Sequence, residues 1–93
     1  MNRTKQLFHD DLVGIFDASY KGDYYACIAS IHKNVSLIHA KSNIKKYTLL
    51  ELALWNHHHK LSHKFIELGA DIHAVDEDGQ SGEMYWKLIL AII

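Results

Sequence analysis

Proline is absent from this 93-residue chain, and cysteine occurs once, as Cys27. Without proline, no helix is broken by a missing amide and no turn rests on a ring-locked φ. A lone cysteine forms no internal disulfide, so nothing points to an oxidising compartment. Neither sign of charge is in surplus: 10 Lys and Arg stand against 11 Asp and Glu, for a formal net charge of −1. That balance argues against a nucleic-acid partner, because non-specific binding draws on excess positive charge. The longest apolar run is Leu88-Ile89-Leu90-Ala91-Ile92-Ile93, far short of the roughly 20 residues that span a bilayer. No apolar stretch of signal-peptide type follows Met1-Asn2-Arg3-Thr4-Lys5-Gln6. We expect a soluble, cytoplasmic protein without a membrane partner.

What is present reads as globular. The apolar fraction is 48% and the charged fraction 23%, close to the average of folded domains. A chain of this length makes one domain, residues 1–93, and buries roughly 60–65% of its unfolded surface. That suffices for a modest core and leaves little room for a deep catalytic cleft. Leu7, Phe8, Leu12, Ile15, Phe16 and Ser19 recur at helical spacing, so residues 4–20 are predicted as an amphipathic helix. Gly22 caps its C-terminus and Asp23 starts the next helix, which runs through Ala26, Cys27, Ile28 and Ile31 toward Val35. Residues 36–47 are polar and read as irregular. Thr48 with Glu51 has capping-box spacing and opens a third helix, Leu49 to Trp55. Asn56-His57 interrupts it, a fourth helix runs from about His58 to Leu68, and Gly69 stops that one. Asp76-Glu77-Asp78-Gly79 is a turn, and Ser81 opens a last helix from Glu83.

Short helices in pairs, separated by turn-rich segments, suggest repeats. Ile38-His39-Ala40 returns 34 positions later as Ile72-His73-Ala74, and the caps Thr48 and Ser81 are 33 apart. A 33-residue period with one turn and two helices is the ankyrin spacing. Thr48 through Ala74, TLLELALWNHHHKLSHKFIELGADIHA, resembles the ankyrin repeat, whose pattern is TPLHLAA, two variable residues, GH, a VVKLLL-type helix and GADVNA. Thr48, Leu50, Leu52, Ala53, His58, Phe65, Ile66, Gly69, Ala70 and Asp71 fall at matching positions without a gap. Asp76 to Ser81 then matches the D-x-x-G-x-T that begins a following repeat. The resemblance implies an all-α fold, a short ankyrin-like solenoid of about two and a half to three repeats. Residues 1–40 form a degenerate N-terminal repeat, 41–74 the central one and 75–93 a truncated C-terminal one. It also implies that Ala53 is small because paired helices approach there, and that Leu50, Phe65 and Ile66 fill the seam between repeats.

Candidate chemistry is sparse. Eight histidines raise a metal reading through His57, His59 and His63, of which His59 and His63 lie one helical turn apart, the spacing of a shared zinc. His9 or Glu67 could be named as a further ligand, but nothing in the sequence places either there. Structural or solvated histidines are the preferred reading, and a small His-based metal-binding protein stands as the alternative function. Cys27 lies in an apolar helical context that suits a core residue. Asp10-Asp11 sits near a helix start, where acids are favoured. We expect no enzyme activity and no cofactor.

The preferred function, implied by the resemblance, is a non-catalytic module that binds and masks or inhibits a protein partner. Carried over by position, turn tips and first-helix ends select Tyr20, Lys21, Lys45, Tyr47, Trp55, Asn56, Val75, Glu77, Asp78 and Gln80 as partner-binding residues. Trp55 is expected to be exposed on the concave face, as an anchor. The first turn is basic through Lys41, Lys45 and Lys46, and the second acidic through Asp76, Glu77 and Asp78. Side by side they would present a dipolar edge. The last unit carries more apolar side chains than one short helix hides on one side, so a homo-oligomer through the C-terminal helix is also expected.

Overall fold

The computed structural model describes residues 13–83 and 85–87. Residues 13–21 are helical (α1), followed by α2 (Tyr24–Lys33), a 3₁₀ turn (Val35–His39), α3 (Leu49–Trp55) and α4 (His59–Glu67). Residues 83 and 85–87 are helical again. The protein is all-α. Among the described residues the extended contacts are two isolated bridges, Lys41 with Thr48 and Val75 with Ser81. The start of the first predicted helix, and the whole C-terminal apolar run Leu88 to Ile93 on which the oligomer expectation largely rests, lie outside the described residues.

Each helix end has a local cause. Asp23 accepts from the Ala26 amide at 3.2 Å and so takes up one of the orphan donors at the start of α2. Thr48 and Glu51 close a complete capping box on α3, with both reciprocal bonds at 3.0 Å. Three helices stop in the same way, with the chain turning left-handed one residue past the cap. Gly22 has φ 79°, His57 has φ 63° and Gly69 has φ 103°. The next amide then reaches back to the last turn: Asp23 to Ala18, His58 to Ala53 and Ala70 to Phe65.

The second helix ends sooner than its sequence suggested. Asn34 stops α2 at Lys33, and its side-chain oxygen accepts from the amide and hydroxyl of Ser36, starting the 3₁₀ turn. Residues 35–39 are therefore not irregular. The turn points Leu37 and Ile38 into the core and leaves Val35 outside.

One core joins these elements. Ile15 and Ala18 of α1, Cys27 and Ile31 of α2, Leu37 and Ile38, Leu49, Leu50, Ala53 and Leu54 of α3, and Leu61 and Phe65 of α4 are all buried. Ala53 is fully buried, as its predicted place between paired helices requires. Leu50 and Phe65 are buried, while Ile66 is partly buried against the core. Cys27 packs there too, in contact with Ser19, and burial pushes its thiol above the ordinary value. Gly82 allows its backbone to lie against Leu50 and Leu54, where a Cβ would come within 3.1–3.3 Å of their side chains.

Candidate functional site

The turn between the 3₁₀ segment and α3 is a narrow loop. The Ser42 amide donates to the Tyr47 carbonyl at 2.8 Å, and the Ser42 hydroxyl bonds both the Ile44 carbonyl and the Tyr47 amide. At its tip, Lys45 and Lys46 have successive positive φ values of 70° and 56°. That backbone pattern belongs to type I′ turns, which favour Asn-Gly. Ile44 projects beside them, 79% exposed. Sequence reasoning passed over Ile44, because one apolar residue in a polar stretch carries no periodic signal.

The second turn follows α4. Its Asp76 side chain accepts from the amides of Asp78 (2.8 Å) and Gln80 (3.0 Å), and Gly79 takes φ 77°. The expected acidic edge therefore needs correction. Asp76 is 5% exposed and holds the turn together from inside, so Glu77 and Asp78 alone carry its exposed negative charge. Burial pushes the Asp76 carboxyl up. The Gln80 amide, the Glu51 side chain, the Asp78 amide and the Lys45 charge outweigh it and hold Asp76 below the usual aspartate value.

The two turns are fastened to each other. The Glu77 amide donates to the Lys45 carbonyl at 2.7 Å, and the Lys41 ammonium donates to the Val75 carbonyl at 2.8 Å. The Lys45 ammonium stands 3.9 Å from the Asp78 carboxylate. The structure thus brings together Lys45, Val75, Glu77, Asp78 and Gln80. A shallow groove on the same side is lined by His39, Lys41, Thr48, Asp71, His73 and Val75.

Trp55 is not the open anchor expected of it. It is half-buried, edge-on to Tyr47 at 5.0 Å and to Tyr85 at 6.0 Å, and its indole N–H is covered without a partner. Asn56 also departs from expectation, because its side-chain amide donates to the Leu52 carbonyl at 2.8 Å and caps α3. Tyr20 and Lys21 sit at the end of α1. Lys21 pairs with Asp17 at 3.1 Å, and the Tyr20 carbonyl receives His58 Nε2 at 2.8 Å.

The metal alternative loses its ligand set. Among the described residues no three His, Cys, Asp or Glu side chains are grouped to hold a metal ion. His57 is the left-handed residue that ends α3. Its ring meets that of His59 edge-on at 6.2 Å, whereas His63 packs against Trp86 at 4.7 Å. His9 lies outside the described residues. Near the C-terminal end Glu83 bonds His73 and Lys87, each at 3.1 Å, and Lys87 followed by His73 draws its carboxyl below the usual value. No helix among the described residues is long and apolar enough to cross a membrane. No protein-family model matches the chain, and no curated protein matches it.

Proposed function

We propose that the chain is a short ankyrin-like solenoid that acts as a cytoplasmic, non-catalytic protein-binding module and masks its partner. The observation that carries this reading is the continuous edge made by the two fastened turns. Ile44, Lys45 and Lys46 stand on one tip, and Glu77, Asp78 and Gln80 on the other, all exposed. Tyr47 and Trp55 lie behind them as a half-buried aromatic ledge. The repeat reading draws support from the two bridges, whose partners recur 34 and 33 positions apart, and from the helix pair α3–α4 between them. A rigid rim bearing both charges orients a partner during encounter, while the apolar Ile44 and the aromatic ledge supply desolvated contact.

The test is quantitative capture from a cytosolic lysate of the native host, comparing wild type with Lys46→Glu and Glu77→Lys. Among the described residues neither side chain takes part in a hydrogen bond or ion pair that holds the turns, so both variants should keep their fold by circular dichroism. The reading expects one protein to be retained by wild type and depleted about tenfold or more on both variants. Equal retention on all three would remove the edge as the binding surface.

A further inference from the structure

Glu51 is the third residue of α3, and its side chain is fully buried. One of its oxygens accepts from the Thr48 amide in the capping box. The other, Oε2, has no donor, and neither has Oδ2 of the buried Asp76. A buried carboxylate oxygen without a donor is costly, and two together are more so. The two carboxyls also act on each other, Asp76 pushing Glu51 up and Glu51 drawing Asp76 down. Two carboxylates cannot satisfy one another, since each only accepts. A bond between them requires that one carry a proton.

The surroundings say which one. Asp76 already receives the amides of Asp78 and Gln80 and feels the Lys45 ammonium, all of which favour its charged form. Glu51 receives a single amide in a drier place, where burial comes first in raising its carboxyl, to about 7, and Asp76 adds to the rise. We propose that Glu51 is protonated and donates to the carboxylate of Asp76, so that a single shared proton locks the capping box of α3 to the turn following α4. The lock does not depend on the binding function. Both orphaned oxygens are accounted for by one hydrogen, and no further group is needed.

The groups that bear on the pair are few. Lys45 comes from the first turn and Asp78 from the second, and these two form their own ion pair. Lys41 is bound to the Val75 carbonyl beside Asp76. Raising the pH removes the shared proton and leaves two anions in contact, which opens the joint between the turns. The sign follows from linkage: a carboxyl whose folded value is raised stabilises fully below its ordinary value of 4.5 and loses that contribution as pH climbs to about 7.

The experiment is a carboxyl-carbon NMR titration of Glu51 in the intact protein, paired with thermal melts from pH 5 to pH 8. Glu51 should titrate near neutrality in wild type, and Asp76→Asn should lower that midpoint while burial keeps it above the usual glutamate value. Glu51→Gln keeps both bonds with an amide that does not titrate. It should melt with wild type at pH 5 and above it at pH 8, by on the order of 10 °C. Whatever else changes between pH 5 and pH 8 is common to both proteins and cancels in that difference. A Glu51 midpoint below pH 5 would overturn the proposal even if the glutamine variant failed to fold. So would identical pH profiles for the two proteins. A rise in wild-type melting temperature at pH 8 on adding Ca²⁺, absent from the glutamine variant, would also overturn it, by placing a cation where we place the proton.

Discussion

His57 bears an imidazole at a place where the backbone turns left-handed, with φ 63°. Any residue with a Cβ is strained there by roughly 1–2 kcal/mol, and glycine is not. His57→Gly should therefore raise stability by about 1 kcal/mol, read as a higher urea midpoint at unchanged m-value. If the imidazole were a metal ligand, the same variant would instead lose zinc affinity, which titration calorimetry would register. Trp55 stands differently. Its ring packs between Tyr47 and Tyr85, so Trp55→Ala should lower the melting temperature as well as weaken partner binding by about 2 kcal/mol or more. A variant that binds normally while melting early would reduce Trp55 to a packing residue. Glu51 and Asp76 bound the pH range from opposite sides. Ionising Glu51 costs on the order of 3 kcal/mol as pH climbs from its ordinary value to about 7. Asp76, held below its ordinary 3.8, loses its contribution only as pH falls beneath that value. Between these limits, in mildly acidic solution, the pair stabilises most.

At the scale of elements, the joint between the first helix pair and the second is a contact of His58 with the turn at Gly22. His58 Nε2 meets the Tyr20 carbonyl at 2.8 Å, and a Cβ on Gly22 would fall inside the imidazole ring's van der Waals envelope. Gly22 also holds φ 79°. Gly22→Ala thus combines left-handed strain with overpacking and should cost about 2–4 kcal/mol. Gly69→Ala meets open space and should cost only the strain, about 1–2 kcal/mol. Chemical denaturation of the two variants side by side separates the terms. Equal losses would mean that the His58 contact contributes nothing. Within the second pair, Ala53 has no exposed surface between α3 and α4. Ala53→Leu should overpack it and cost about 1–3 kcal/mol. A wild-type melting temperature for that variant would place the helix seam elsewhere.

For the molecule as a whole, the edge of fastened turns is the surface that the proposed function assigns to a partner. Its tips carry opposite charges a few ångströms apart, and Lys45 already pairs with Asp78. The dipole along the edge is therefore partly cancelled within the protein, leaving Lys46 and Glu77 at the two tips as exposed charges that no ion pair among the described residues engages. Reversing either should act mainly on association rate and its salt dependence, with dissociation set by the apolar contacts. Stopped-flow binding at low and physiological ionic strength checks this. An unchanged association rate with faster dissociation would mean that these side chains sit inside the interface.

Periodicity and caps by themselves determined the helices. Thr48 with Glu51, Asp23 and Gly69 are local signals, each acting within one turn of its own helix, and α3 begins and ends where the sequence puts it. The repeat resemblance implied seam positions for Ala53, Leu50 and Phe65, and all three are buried. The end of α2 was less legible, because Asn34 competes for the chain through side-chain bonds that helical periodicity does not register. What only the tertiary structure decided involves contacts between distant segments. Asp76 reads as one acid in a solvated run, yet it lies buried and acts on Glu51, 25 positions earlier. Trp55 reads as open, yet it is half-buried with Tyr47 and Tyr85 edge-on to its ring. His57, His59 and His63 read as neighbours, and the turn ending α3 together with Trp86 sends their rings to separate places. In each case the deciding energy is desolvation, which depends on what the rest of the chain brings near a group and so lies outside any local pattern of residues.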